Sequence, residues 1–188
     1  MQEHLTGLAS IEVSMDSGVS GGVNDPDFLV TAERCVDWVR AQPQTDHVNT
    51  LTDTLKRLNQ NMHADNPDYY RLPETREMSA QYLLLYEMSL PYGLDLNNQL
   101  NVDKSSTRIV ISLKNLTSNE QVNFEHTINE WFAENAPQLQ VSLASPSLMF
   151  SHIGQRNIES MLKGVVIALF LISILFGFAL RSIRYSLY

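Results

Sequence analysis

Four short stretches of the chain have the composition and pattern expected of strands with one buried face. The clearest is "ASIEVSMD", residues 9–16, in which Ile11, Val13 and Met15 alternate with polar side chains. "STRIVISL", residues 106–113, places Ile109, Ile111 and Leu113 on one face. "HVNTL", residues 47–51, is a shorter candidate, and "LQVSL", residues 139–143, directs Leu139, Val141 and Leu143 inward. The pattern predicts four strands.

Between these strands the apolar residues recur at helical spacing. Asp25 as N-cap and Pro26 at the first helical position predict a helix that ends near Pro43. Its apolar stripe consists of Phe28, Ala32, Cys35, Val36 and Val39. A helix with Ser118 as its N-cap and an end near Pro137 is predicted to turn inward Val122, Ile128, Trp131 and Phe132. Each of these helices follows one strand and precedes another.

Two further helices are predicted between the second and third strands. One begins at Asp53 with "DTLKRLNQNM", and the other covers residues 75–90, with one side formed by Met78, Tyr82, Leu85 and Tyr86. This insertion covers about residues 53–105. When it is left out, the remaining elements of residues 1–145 are strand–helix–strand followed by a second strand–helix–strand. That order predicts an α+β fold of the ferredoxin-like, split βαβ type, over residues 1–145.

The C-terminal part of the chain has a different pattern. A helix is predicted from Pro146, with Met149, His152, Ile153 and Arg156 one turn apart, and residues 146–163 should connect without a break to residues 164–180. Those 17 residues carry no charge, and Ser173 is their one strongly polar side chain. Seventeen lies at the short end of the roughly 17–25 residues of a membrane-spanning helix. A buried core helix is the alternative, but the segment lacks the polar face that such a helix normally shows.

The flanks of this segment predict its orientation. Arg181 and Arg184 follow it directly, whereas Arg156 and Lys163 precede it together with Glu159. The positive-inside bias places residues 181–188 in the cytoplasm and the N-terminal domain outside, and Tyr185 and Tyr188 suit the interfacial aromatic belt. "MQEHLTGLASIEV" has neither a basic n-region nor an apolar h-region. We therefore expect a piece of a larger membrane protein, with an earlier membrane helix upstream.

Charge separates the same two regions. All 21 acidic residues and ten of the 13 basic ones precede Lys163, so residues 1–162 carry a formal charge of −11 and residues 163–188 carry +3. Such an acidic domain argues against a nucleic-acid partner, because phosphate binding requires clustered Lys and Arg. The single cysteine, Cys35, excludes an intrachain disulfide, and its place on an apolar stripe favours packing.

Catalytic motifs are absent from the sequence. It contains no phosphate loop, GxSxG or HExxH, and Gly18, Gly21 and Gly22 lack the spacing of a dinucleotide fingerprint. His63, Asp65 and Asp68 are the nearest candidates for a metal site, but their acidic, proline-bearing loop is more typical of a solvated loop. The other histidines, His4, His47, His126 and His152, are scattered. We predict a non-enzymatic protein with no catalytic, cofactor-binding or metal-binding residues.

The insertion is rich in aromatic and soft apolar residues. "YYRLPE", "YLLLYEMSLPYGLDL" and the methionines Met62, Met78 and Met88 lie within it. Such side chains suit adaptable contact with a hydrophobic ligand or a partner subunit. Packing of the insertion onto the sheet is the alternative, and we favour it for any individual residue.

Several long strings resemble one family: "HLTGLASIEVSMDSG", "GGVNDPDFL", "HVNTLTDTLKRLNQNMHADNPDYYRLPE", "AQYLLLYEMSLPYGLDLNNQLNVDKSSTR" and "GQRNIESMLKG". They are similar to the extracytoplasmic loop of RND-superfamily exporters, in the MMPL-type, hydrophobe/amphiphile efflux branch of Gram-negative bacteria. The resemblance implies ferredoxin-like porter subdomains in two halves of six membrane helices. "RSIRYSLY" is most similar to the second half, so the chain would be the second periplasmic loop and the eighth membrane helix.

The resemblance implies a function in the bacterial inner membrane, namely proton-driven export of lipids or other amphiphiles. The implied partners are the remainder of the transporter, membrane lipid and an amphiphilic substrate, and a homo-oligomer is compatible with them. The family's proton-coupling acids lie in membrane helices outside this chain, which alone should not transport. Two alternatives remain open: a single-pass, membrane-anchored periplasmic adaptor or binding module, and a protein-export accessory subunit.

Overall fold

An antiparallel sheet of four strands forms the centre of the N-terminal part of the molecule. The computed structural model describes residues 9–91 and 96–179. The strands are β1 (Ser10–Asp16), β2 (Thr45–Asn49), β3 (Ser106–Leu113) and β4 (Gln140–Ala144), in the order β2-β3-β1-β4. The α+β class and the four strands are confirmed. The second strand was predicted two residues too late, because Thr50 caps the following helix instead of extending β2.

The sheet buries one face only. Ile11 lies opposite Ile111 and Val13 opposite Ile109 in the antiparallel register of β1 and β3, and all four side chains are fully buried. The intervening positions are partly exposed and, apart from Val110, polar. On this face the Arg108 guanidinium donates to the Glu12 carboxylate at 3.0 Å. The core therefore lies on one side of the sheet.

Two helices supply the other half of this core, α1 (Pro26–Arg40) and α4 (Ser118–Asn135). The Asp25 side chain accepts from the backbone N–H of Asp27, and the predicted apolar stripe of α1 is buried. The cap of α4 is Thr117, one residue before the predicted Ser118, because Thr117 and Glu120 form a reciprocal capping box. Trp131 is half-buried and stacks on Trp38 of α1, with 5.7 Å between ring centroids.

Residues between β2 and β3 form the insertion, built around α2 (Leu51–Met62) and α3 (Arg76–Ser89). Helix α2 begins two residues before the predicted Asp53, because the Thr50 hydroxyl accepts from the backbone N–H of Thr52. Helix α3 buries Ser79, Tyr82 and Leu83. Of the residues predicted to share one side of α3, Tyr82 is buried and Met78 and Tyr86 are partly buried, whereas Leu85 is 49% exposed.

The loop between β1 and α1 fastens this insertion to the sheet. The Gly21 N–H donates to the Asp103 carbonyl at 2.8 Å, and the Arg76 guanidinium at the start of α3 donates to the Ser20 carbonyl at 3.2 Å. Gly21 adopts a left-handed backbone conformation, with φ of 69°, which residues with a Cβ rarely adopt. Loop and insertion are thus held by one bond between backbone groups and one from the Arg76 side chain.

A single helix, α5 (Pro146–Ala179), follows β4 after one residue. The prediction of an unbroken helix from Pro146 into the apolar segment is confirmed for the described residues. Its part Arg156–Phe176 is long and apolar enough to cross a membrane, and none of that stretch is buried. Leu180, Arg181, Arg184, Tyr185 and Tyr188, on which the predicted end and orientation depend, lie outside the described residues. The chain divides into two units, one ending at Leu148 and the other beginning at Met149.

Candidate functional site

A cleft of about 250 Å³ opens between the end of β2 and the two helices of the insertion. We call it the α2–α3 cleft; it is lined by His47, Val48, Asn49, Thr50, Asp53, Thr54, Arg57, Leu58, Asn61 and Tyr86. Four of these recur at helical spacing on α2: Thr54, Arg57, Leu58 and Asn61. Tyr86 belongs to α3. One wall is therefore a single face of α2, and the site depends on how α3 packs beside it.

A buried amide positions the two helices. Asn59 of α2 is 3% exposed, and its Oδ1 accepts from the Tyr82 hydroxyl of α3 at 3.1 Å. Its Nδ2 donates to the Arg71 carbonyl in the connecting loop at 3.0 Å. Burying an amide is unfavourable unless it is hydrogen-bonded, and Asn59 meets that requirement with one group from each neighbouring segment. This arrangement keeps α3 at a defined distance from the Thr54–Asn61 face.

Asp53 of the cleft belongs to a charged network between α1 and α2. Its carboxylate pairs with Arg40 and, at 3.2 Å, with Lys56, which also pairs with Glu33. Burial alone would raise the pKa of Asp53, but hydrogen bonds from Arg40 and Lys56 outweigh it and hold that pKa below its usual value. For Lys56, burial is likewise outweighed, by Glu33 and Asp53, and the pKa is raised. The charge of Asp53 is thus matched within the protein.

Replacing Asp53 with Asn should make the stability of the folded protein depend less steeply on pH under acidic conditions. Because the folded-state pKa of Asp53 is lowered, its stabilising contribution is present above the unfolded-state pKa and is lost as the pH falls through the folded-state value. The difference should appear below about pH 4. Urea unfolding midpoints measured from about pH 6 to pH 3 should fall more steeply for the parent than for Asp53→Asn. Asp46→Asn, at an exposed position of β2, is the control; equal slopes for parent and Asp53→Asn would refute the prediction.

Several polar groups of the cleft have no hydrogen-bond or ion-pair partner among the described residues. They are the Arg57 guanidinium, the Thr54 hydroxyl, the Asn49 amide and the His47 imidazole. Sequence reasoning singled out none of them. The available signal was the spacing of Thr54, Arg57 and Asn61 on one helical face beside a run of aromatic residues.

The soft apolar residues of the insertion divide between packing and exposure. Met78 packs against the core, whereas Met62 is 55% and Met88 77% exposed. Helix α3 also exposes Leu84 and Leu85. Packing therefore accounts for Met78. Met62 and Met88 lie on the surface, as do Leu84 and Leu85 of α3.

The residues considered for metal binding have other contacts. The His63 ring stacks on Tyr69 with 3.8 Å between centroids, and its Nδ1 lies 2.8 Å from the Asn59 carbonyl. Within residues 9–91 and 96–179, no three His, Cys, Asp or Glu side chains are grouped as a metal site would require. Asp65 and Asp68 belong to the tight turns after α2. His4 and the side chain of His152 lie outside the described part of the chain.

Cys35 lies deep in the core of α1, 1% exposed, and burial raises the pKa of its thiol to about 12. Since the thiolate is the reactive form, the native protein should not react with an aromatic disulfide reagent at neutral pH. Full reaction is expected in urea. We would follow thiol release by absorbance, with Val102→Cys as the control, since Val102 is 92% exposed. Rapid labelling of Cys35 in the folded parent would contradict its burial.

No protein-family model matches the chain, and no curated protein is significantly similar to it. Its function must therefore be argued from its own residues and architecture.

Proposed function

We propose that the chain is a periplasmic porter-type domain, with the membrane helix that follows it, of a proton-driven RND-superfamily exporter of the MMPL branch. The observation that carries the proposal is the connection between the two units. A sheet of order β2-β3-β1-β4 is followed, after Ser145, by a 34-residue helix that contains a segment of membrane-spanning length. In this proposal the sheet domain is the porter, and α5 connects it to the membrane.

The strand directions support a ferredoxin-like assignment of the domain. Since β3 is antiparallel to both β1 and β2, those two strands run in the same direction with β3 between them. Strand β4 is antiparallel to β1 on its other side. Two βαβ units with interleaved strands, covered by α1 and α4, make up the split βαβ plan. In this proposal α2 and α3 are additions that give the domain its own cleft.

The proposed cargo is a lipid or another amphiphile, and the domain guides it without chemical change. Exposed Leu84, Leu85 and Met88 on α3 provide soft apolar contacts of the kind that adapt to flexible chains. The proton-coupling groups would belong to other membrane helices. The chain alone is then expected to be inactive in transport.

The proposal is tested first by the DNA on either side of the reading frame. In-frame membrane helices on both sides, with paired aspartates in a downstream helix, are expected. The full-length product in inverted vesicles should then accumulate a fluorescent amphiphile only while a proton gradient exists, and an uncoupler should abolish accumulation. Stop codons on both sides with an independent promoter would refute the exporter and support a single-span adaptor.

Orientation has its own test in a Cys35→Ala background. Val102→Cys should react with a membrane-impermeant maleimide in cells whose outer membrane alone has been opened. Ser182→Cys should react only after the inner membrane is permeabilised. The reverse pattern would place the acidic domain in the cytoplasm and contradict a periplasmic function.

A further inference from the structure

Among the described residues, the cleft groups without a partner are those of Arg57, Thr54, Asn49 and His47, and each can donate a hydrogen bond. Arg57 offers a guanidinium, Thr54 a hydroxyl and Asn49 an amide NH₂. The carboxylate that lines the cleft, Asp53, already accepts from Arg40 and Lys56. The positive charge of Arg57 therefore has no matching negative charge among the cleft residues. An acceptor with a negative charge is the complementary ligand group.

The rest of the lining is mixed: His47, Thr50 and Asn61 are polar, and Val48, Leu58 and Tyr86 supply apolar surface. Val48 and Leu58 lie on the β2 and α2 sides, and the Tyr86 ring lies on the α3 side. A volume of about 250 Å³ is smaller than the roughly 300–1,000 Å³ of sites that enclose a drug-sized molecule. The cleft thus has room for a headgroup and the first part of an alkyl chain. A bare inorganic anion would leave the apolar wall uncovered.

We propose that the α2–α3 cleft binds the acidic headgroup of a single-chain amphiphile, an alkyl carboxylate, with Arg57 as the charge partner. Thr54 and Asn49 donate to the remaining lone pairs of the carboxylate, and the first methylenes pack on Leu58 and Tyr86. The inference rests on the proposed function only in identifying this ligand with the exporter's cargo. Binding itself is a property of the cleft.

Isothermal titration of the full chain in zwitterionic nanodiscs tests the inference, with heats from empty nanodiscs subtracted. Octanoate is the probe, octanol has a similar chain without the charge, and acetate has the charge without the chain. Octanoate should bind saturably, and octanol and acetate at least about tenfold more weakly, which corresponds to about 1.4 kcal/mol. Equal binding of acetate would indicate a simple anion site, and equal binding of octanol a simple apolar site. Either result, or no octanoate binding, overturns the proposal.

Two variants locate the site. Arg57→Gln should weaken octanoate binding by about tenfold or more, whereas Arg34→Gln, which removes the same charge from an exposed position of α1 outside the cleft lining, should leave it unchanged. Equal losses would mean that net charge alone matters and would overturn the proposal. Tyr86→Ala should weaken octanoate but not acetate. Arg57 is exposed, so unchanged urea unfolding of Arg57→Gln would exclude misfolding as the cause.

The outcomes for cleft and exporter can be separated. One outcome is that octanoate binds saturably and depends on Arg57 in a chain whose gene lacks neighbouring membrane helices. That result would support ligand binding by the cleft and refute the exporter function. Gradient-dependent export by the full-length protein, without octanoate binding, would support the exporter function and refute ligand binding by the cleft.

Discussion

Ile111→Ala is expected to lower the free energy of unfolding of the N-terminal domain by about 3–4 kcal/mol. Ile111 is fully buried in β3 and lies opposite Ile11 on one side and Val48 on the other. Truncation removes its apolar contacts and leaves a cavity that three strands can only partly close. Because domains of this size are stable by about 5–15 kcal/mol, the loss is a large fraction of the total.

The matched control is Val110→Ala, one residue earlier on the partly exposed face of β3. A loss of about 1 kcal/mol or less is expected there, because no closed cavity forms. Urea unfolding of the chain in detergent, followed by the fluorescence of the stacked Trp38 and Trp131, measures both. Similar losses at the two positions would contradict the assignment of one buried and one solvated sheet face.

Leu169→Arg is expected to have the second large effect, on membrane integration. Leu169 lies well inside the apolar segment Arg156–Phe176 and is exposed. An arginine near the centre of a spanning helix costs about 2.5–3.5 kcal/mol on insertion scales. The fraction of the chain that resists extraction from membranes by alkaline carbonate should therefore fall by about tenfold or more.

Ser160→Arg provides the control for this change. Ser160 lies near the start of the same segment, between Arg156 and Lys163, where a long cationic side chain can extend to the interface. Carbonate resistance should equal that of the parent. If Leu169→Arg also remained resistant, the segment would not cross the apolar phase.

Strands and their buried faces were predictable where large apolar residues recur at every second position. The bounds of β3 were predicted without error, because Ile109, Ile111 and Leu113 occupy every second position of Ser106–Leu113. For β2 the apolar Val48 and Leu51 both suggested a strand, but Leu51 is the first residue of α2. Competition between a strand and a threonine cap is decided by backbone hydrogen bonds, which the apolar pattern does not contain.

The cleft was less predictable than the sheet. In the run Leu83–Leu85 every residue is leucine, so periodicity cannot identify the buried face of α3; Leu83 is buried and the other two are exposed. Arg57 likewise has the appearance of an ordinary solvated helix residue. Within the described part of the chain it has no ion-pair partner, because the nearby Asp53 pairs with Arg40 and Lys56, which is a tertiary arrangement.

The β1–β3 register has a consequence for how the domain folds. Ser10 pairs with Ser112, so the central strands join positions roughly a hundred residues apart. Closing so long a loop has an entropic cost before any sheet contact compensates for it, and domains dominated by such distant pairs fold slowly. The α2–α3 hairpin, with its local Asn59 tie, lies inside that loop. If the insertion forms first, it shortens the effective loop and lowers the entropic cost of pairing β1 with β3.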